Sequence, residues 1–311
     1  MRQTTCDIFQ MEFKELFRLF AHATELRERR SGKEVSLCFI LNAKAGNCPQ
    51  NCGFCSQSAV SRADIPRYPL VSVQEITAAA EAAYQNGAYH FCIVTSGRGV
   101  RSKAEQKTIL AAIEAIRSSV PVKVCASLGI VDGSFLKKLR EVGLHHFHHN
   151  LETSPGFFPE VCTSHTFQQR VRTIEAAKTA GLKVCSGGIF GLGESVQDRL
   201  DLASWLQRLE VDSIPLNFLH PVEGTPMESR TTMKPIECLQ VITAFRLLFQ
   251  DKPLVVCGGR GMGLRSLGPL MFAAGADGLL TGDYLTTKGK APRQDAEMLA
   301  DMGLSPKRLR S

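Results

Sequence analysis

Three cysteines in one short stretch are the residues best suited to carry chemistry. The run Lys44-Ala-Gly-Asn-Cys48-Pro-Gln-Asn-Cys52-Gly-Phe54-Cys55 spaces them as C-x3-C-x2-C. Gly46, Pro49 and Gly53 keep the stretch tight, so three thiolates can converge on one metal centre. Soft thiolates suit zinc or an iron–sulfur cluster. A structural zinc wants a fourth Cys or His close by, and none follows in this stretch. A cubane with three protein ligands keeps one iron open for a substrate or cofactor.

The chain has 11 cysteines in 311 residues. Without a recognisable secretory signal, a disulfide framework is not expected, which leaves buried thiols or metal ligands. Cys92, Cys125, Cys185 and Cys257 each fall in a different apolar run, whereas Cys6, Cys38, Cys162 and Cys238 follow no pattern and read as structural. Between residues 145 and 152, strand periodicity puts His146, His148, Asn150 and Glu152 on one face and His145, Phe147 and His149 on the other. The glycine-rich segment Gly187-Gly-Ile189-Phe-Gly191-Leu-Gly193-Glu194 lets a backbone approach a ligand closely, though a lone glycine-rich turn is weak evidence for a nucleotide. The Asn217 amide can both donate and accept, as a urea-like ring requires. Thr286 and Thr287 could hold a carboxylate through hydroxyls and N–H groups, or simply cap a loop.

These residues need a scaffold that brings distant positions together. Short apolar runs near 36–41, 89–95, 122–128, 145–151, 182–187, 212–218, 254–258 and 277–281 alternate with helical stretches near 73–87, 103–119, 133–142, 166–180, 196–210, 235–250, 263–274 and 293–304. Such alternation predicts a parallel sheet covered by helices, and eight units fit an α/β (β/α)8 TIM-type barrel. An amphipathic helix over 8–30 precedes it, so the expected division is an N-terminal helical extension (1–33) and a barrel (34–311). In such barrels the chemistry sits at the C-terminal ends of the strands. The net charge of +7 suits an anionic small molecule and is too diffuse to argue for nucleic acid. No apolar run is long enough to span a membrane, and a cytoplasmic location is expected.

The C-x3-C-x2-C run with Phe54 before its last cysteine resembles the radical S-adenosylmethionine (SAM) signature. The resemblance implies that Cys48, Cys52 and Cys55 hold a 4Fe–4S cluster whose open iron binds SAM. Across nearly the whole chain, the runs Cys48–Ser58, Phe91–Cys92, Val124–Gly129, His149–Ser154, Val184–Glu194, Pro215–Asn217, Gly259–Arg260 and Leu285–Thr287 resemble the biotin synthase family. What that likeness implies is sulfur insertion into dethiobiotin, with sulfur donated by an auxiliary cluster, in its best-known form 2Fe–2S, on Cys92, Cys125, Cys185 and Arg260. It further implies that Asn150 and Glu152 bind the SAM ribose and that Arg170 pairs with the SAM carboxylate. Phe54, Gly187, Ile189 and Gly191 would lie against the cofactor. His148, in place of an asparagine, joins Asn150, Asn217, Thr286 and Thr287 around the substrate. Flavodoxin or ferredoxin would supply electrons, and an iron–sulfur assembly system would restore the sulfur.

The sequence departs from the family at His148-His-Asn150-Leu-Glu152 and at Thr95-Ser-Gly-Arg-Gly, which marks a divergent branch. Cys257 lies in the seventh expected strand, three residues before Arg260 in the Gly258-Gly-Arg-Gly261 turn. A thiolate is a far better iron ligand than a guanidinium, which favours Cys257 as fourth ligand and a four-iron auxiliary cluster over 2Fe–2S. Radical SAM barrels of the hydrogenase-maturase or methylornithine synthase type, and a non-catalytic iron–sulfur carrier, are the alternatives. The oligomeric state stays open, a homodimer included.

Overall fold

The computed structural model describes residues 7–309, so Cys6 lies outside the described residues. Its frame alternates strand and helix: β1 (Glu34–Lys44), α2 (Val73–Gln85), β2 (His90–Thr95), α3 (Lys103–Ser119), β3 (Lys123–Ser127), α4 (Gly133–Glu141) and β4 (His146–His148), after α1 (Phe13–Ser31). It continues through α5 (Phe158–Val161), α6 (Phe167–Thr179), β5 (Lys183–Cys185), β6 (Gly188–Phe190), α7 (Val196–Arg208), β7 (Ile214–Phe218), α8 (Pro235–Leu248) and β8 (Leu254–Val256). The last part holds α9 (Arg260–Leu264), α10 (Leu270–Ala273), β9 (Gly278–Leu280), α11 (Pro292–Asp301) and β10 (Ser305–Pro306).

All strand pairs are parallel, in the order β5-β4-β3-β2-β1-β9-β8-β7-β6, with β10 added to the start of β1. The two ends of that order, β5 and β6, are halves of one interrupted strand. Single bridges Cys185↔Ser213 and Glu152↔Gly188 tie them to the neighbouring chain on either side, so the sheet curls round on itself as a TIM-type barrel. The expected fifth strand at 182–187 is therefore split. The cause lies at Gly187, where a Cβ would stand 1.9 Å from the Pro215 carbonyl oxygen and where the N–H donates to Asn150 Oδ1 at 3.2 Å instead of to a neighbouring strand.

The outward strand faces carry Val35, Leu37, Phe91, Ile93, Val124 and Phe147, all buried beneath the helices. The inward faces carry a different set: Ser36, Cys38 and Ile40 on β1, His90 and Cys92 on β2, Cys125 on β3, all lining one interior cavity. An apolar outer layer stabilises the barrel by water exclusion, and the interior is left to polar and thiol side chains.

Other boundaries shift for local reasons. The first helix begins at Phe13, not at residue 8, because Glu12 takes the N-cap and its N–H is held by the Glu15 carboxylate at 3.1 Å. The expected helix at 263–274 breaks into short pieces, since Arg265 adopts φ 48° and Pro269 precedes α10. The α1 helix rests on the barrel through Thr24 Oγ1 to the Ala273 carbonyl at 3.2 Å, and through Arg30 to Asp277 at 3.2 Å. None of the helices among the described residues is long and apolar enough to cross a membrane.

Candidate active site

The cysteine loop follows β1, at the C-terminal end of the strands. It is folded back on itself: Cys48 N–H donates to the Gln57 carbonyl at 3.2 Å and Ala59 N–H to that of Gln50 at 2.8 Å. Gly53 N–H crosses to the Val161 carbonyl at 2.9 Å, and Thr286 Oγ1 meets Ser56 Oγ at 2.7 Å. Asn47, beside Cys48, has φ 51°, a strained conformation for a non-glycine residue of the kind that collects at functional sites. Burial pushes the Cys55 thiol up to about 11.

Cys52 turns toward a residue that the sequence reading had set aside. Its S–H donates to Cys162 Sγ at 3.6 Å, and His165 Nδ1 lies 3.3 Å from the same sulfur. That hydrogen bond raises the Cys52 pKa and lowers that of Cys162 to about 3. Arg170 Nε donates to His165 Nε2 at 3.0 Å, which leaves the proton of a neutral His165 on Nδ1, facing Gln50 Oε1 and Cys162. Arg170 also reaches Glu152 Oε1 at 3.3 Å and the Asn150 carbonyl at 2.8 Å. A continuous polar chain thus links Cys52, Cys162, His165, Arg170 and Glu152. The C-x2-H pair of Cys162 and His165 stands more than a hundred residues beyond the cysteine loop, with no spacing that tied it there; only the fold joins them.

Glu152 sits at φ 72°, buried, with its Oε2 lacking any hydrogen-bond partner. Burial raises its pKa, with Arg170 opposing. A buried acceptor without a donor is costly unless a ligand supplies one, and a sugar hydroxyl fits. Asn150 Oδ1 is occupied by Gly187 N–H. Gly191 has φ 91°, and its N–H is held by the Glu194 carboxylate at 2.9 Å; of the glycine-rich segment Ile189 lines the cavity, whereas Gly187 and Gly191 do not. Phe54 and Ile189 face each other across a small apolar cluster with Val161 and Leu219.

One cavity of about 720 Å³ runs from Cys55, Thr286 and Thr287 down past Glu152 and His148 to the cysteines of the barrel interior. Cys92, Cys125, Cys185 and Cys257 all line it, and burial raises the pKa of each, that of Cys185 to about 11. Cys38, read from sequence as structural, lines the same cavity as a fifth thiol. Parity along β1 puts it on one face with Ser36 and Ile40, and its register with His90 comes from the strand pairing. His148 Nδ1 lies 3.4 Å from Cys185 Sγ, and burial lowers its pKa to about 4, so the ring is neutral. Arg260 is buried and donates from Nη2 to Asp295 Oδ2 at 2.7 Å, while its Nε and Nη1 have no partner and its charge opposes the burial that raises the Cys257 pKa. Asn217 lines the cavity with its amide already engaged, Nδ2 to the Gly188 carbonyl at 3.1 Å and Oδ1 from Gly258 N–H at 2.9 Å. His146, His148, Asn150 and Glu152 share the inward face as strand parity requires; His145, which precedes β4 and escapes its pleat, turns inward as well, with Nδ1 2.6 Å from His146 Nδ1.

The profile of the Radical SAM superfamily matches residues 44–206, and that of the Biotin and Thiamin Synthesis associated domain matches residues 215–305. A biotin synthase of Pelobacter propionicus is 49% identical over 93% of this chain and 88% of its own length, and one of Geobacter sulfurreducens is 46% identical over 96% and 91%. Among solved structures, methylornithine synthase superposes with a TM-score of 0.86 at 21% identity, covering 99% of this chain and 94% of that one. An FeFe-hydrogenase maturase from Carboxydothermus hydrogenoformans gives 0.85 at 17% identity, covering 99% and 76%. Those structural likenesses speak for the barrel alone, whereas the sequence identities extend over more than nine-tenths of this chain. The chain belongs to the biotin synthase family of the radical SAM superfamily.

Proposed function

We propose that this protein inserts sulfur into dethiobiotin to form biotin, as the names of its relatives describe. The observation that carries the reading is the single cavity that joins the Cys48–Cys55 loop, the unpartnered Glu152 carboxylate and the interior cysteines. Cys48, Cys52 and Cys55 would hold a 4Fe–4S cluster with SAM, and Cys92, Cys125, Cys185 and Cys257 an auxiliary iron–sulfur cluster. When bound, the first cluster and SAM supply a 5′-deoxyadenosyl radical and the second supplies sulfide.

The chain's own residues bind and orient. Glu152 Oε2 accepts from a ribose hydroxyl, while Arg170 keeps the carboxylate turned inward and offers positive charge beside the SAM carboxylate. The cradle of Phe54, Gly187, Ile189 and Gly191 packs the cofactor. Between the two ends, the neutral imidazole of His148 can donate from one nitrogen and accept at the other, as a ureido ring requires. Thr286 and Thr287 stand at the mouth, where the carboxylate tail would lie. For the auxiliary cluster, Cys257 in the cavity wall supports a fourth thiolate, and a four-iron cluster is the form proposed over 2Fe–2S. Flavodoxin or ferredoxin would be the reductant, iron–sulfur assembly proteins the source of new clusters, and the cytoplasm the compartment.

Anaerobic incubation with SAM, a reductant and dethiobiotin should yield 5′-deoxyadenosine and biotin by mass. Replacing Cys48, Cys52 and Cys55 together with Ala should abolish 5′-deoxyadenosine while an auxiliary cluster stays visible by spectroscopy. Continued SAM cleavage by that variant would overturn the assignment of the loop.

A further inference from the structure

The cavity does not end at the cysteines. Side chains alternate along a strand, so the residue two places before each interior cysteine faces inward one layer nearer the N-terminal end of the barrel. Those residues are His90, Lys123, Lys183 and Val255, and all four line the cavity. The strand pairing places His146 beside both Cys125 and Lys183. Lys183 is exposed, and Lys123, Lys252 and Lys307 are half-buried. The interior cysteines therefore lie one side-chain layer from solvent at the end of the barrel opposite the Cys48–Cys55 loop. Barrels of this type are ordinarily filled there by packed branched side chains.

The charge at this second mouth is basic. Arg30, Lys123, Lys183, Lys252 and Lys307 line it, against Asp212, Asp251 and Asp277. Asp277 is paired with Arg30 and with Arg246, which leaves Lys123, Lys183, Lys252 and Lys307 against Asp212, whose Oδ2 accepts from the Val184 N–H at 2.8 Å, and Asp251.

We propose that the N-terminal mouth of the barrel is a binding and entry site for hydrosulfide, which reaches the interior cysteines from the face opposite to the substrate. The inference rests on the sulfur-insertion reading, since only a cluster that gives up sulfide needs resupply. Hydrosulfide is a small monoanion, and a basic cleft raises its local concentration. Its way in stays clear while SAM and dethiobiotin occupy the C-terminal end. Exchange into a resting cluster balances without an oxidant: one hydrosulfide enters and gives up its proton as an iron–sulfur bond forms, and one sulfide leaves and takes a proton up.

The test uses the reconstituted full chain with both clusters loaded, incubated anaerobically with sodium sulfide labelled with sulfur-34. Label in the acid-labile sulfide is read by mass spectrometry. Lys183→Glu/Lys252→Glu should slow uptake about fivefold or more at low ionic strength, while Lys183→Arg/Lys252→Arg keeps the wild-type rate. Wild-type uptake should fall as salt is added. SAM cleavage and the biotin formed in the first turnover should not change in any of these proteins. If the Glu pair fails to load its clusters, Lys183→Gln/Lys252→Gln serves, with a smaller slowing expected. Unchanged uptake in a loaded Glu or Gln variant, or equal slowing in the Arg variant, overturns the proposal. Absence of biotin from the wild-type protein would instead sink the reaction itself, while the uptake measurement still reports on the mouth.

Discussion

Cys257 and Arg260 stand three residues apart yet serve different surroundings. Cys257 follows β8 on its inward face, whereas Arg260 opens α9 and spends a guanidinium nitrogen on Asp295. Iron and sulfide counting with Mössbauer spectra on the Cys48/Cys52/Cys55→Ala protein should find about four irons in the remaining cluster, the count that separates the four-iron form from 2Fe–2S, since four thiolates serve both. Cys257→Ala should cut that content, and Arg260→Ala should leave most of it. About two irons, unaffected by Cys257→Ala, would exclude the four-thiolate cluster. His148 poses a related question. With Cys185 Sγ 3.4 Å from its Nδ1, the ring can hold a substrate atom with its other nitrogen. His148→Asn should retain much of the biotin yield. His148→Leu, which leaves polar substrate atoms unpaired, should lose about tenfold or more, in line with a desolvation cost of about 1–3 kcal/mol. Equal, near-native yields from both would remove His148 from the substrate site.

At the scale of elements, the interruption between β5 and β6 organises the site. Cys185 ends one half and Ile189 sits in the other, so a single break lets one strand serve both the interior cysteines and the cofactor cradle. Gly187 makes the break possible, because any Cβ there would meet the Pro215 backbone oxygen at 1.9 Å. Backbone does not yield as a flexible side chain does. Gly187→Ala should therefore destabilise the fold by about 2 kcal/mol or more and lower Tm by about 3 °C or more, read by thermal unfolding of the cluster-free protein. An unaltered Tm would mean that β7 can move away without loss.

The whole molecule carries an unusual load of buried neutral imidazoles. Burial lowers the pKa of His90 to about 3, of His145 to about 4 and of His146 to about 2, with neighbouring imidazoles and lysines adding to the effect. Because these folded-state values lie below the unfolded value of about 6.5, the unfolded chain binds more protons once the pH drops below 6.5. Their contribution to stability is then full above pH 6.5 and is lost progressively as the pH falls toward the folded values. One such histidine costs about 2 kcal/mol of stability at pH 5. Urea midpoints of the cluster-free protein should fall steadily from pH 7 to pH 5, and His146→Asn should flatten that slope. A midpoint independent of pH across this range would show that the rings take up protons without unfolding.

Much of the architecture was legible along the chain because it is local. Apolar runs separated by helical periods are the direct trace of a strand buried on its outer face and a helix packed over it, so the barrel followed from Leu37, Phe91, Val124, Phe147 and their kin. The C-x3-C-x2-C loop was legible for the same reason, since three ligands within eight residues need no fold to meet. Parity along single strands placed His146, His148, Asn150 and Glu152 together, and it failed for His145, which stands before the strand begins. What depended on contacts between distant segments was decided only by the tertiary structure. Cys162 and His165 meet Cys52 across more than a hundred residues. Cys38 joins the interior thiols because neighbouring strands bring it into register. Arg260 is drawn to Asp295, 35 residues on, because a buried guanidinium needs a carboxylate, and no spacing in the chain records which of several carboxylates the closing helix will deliver.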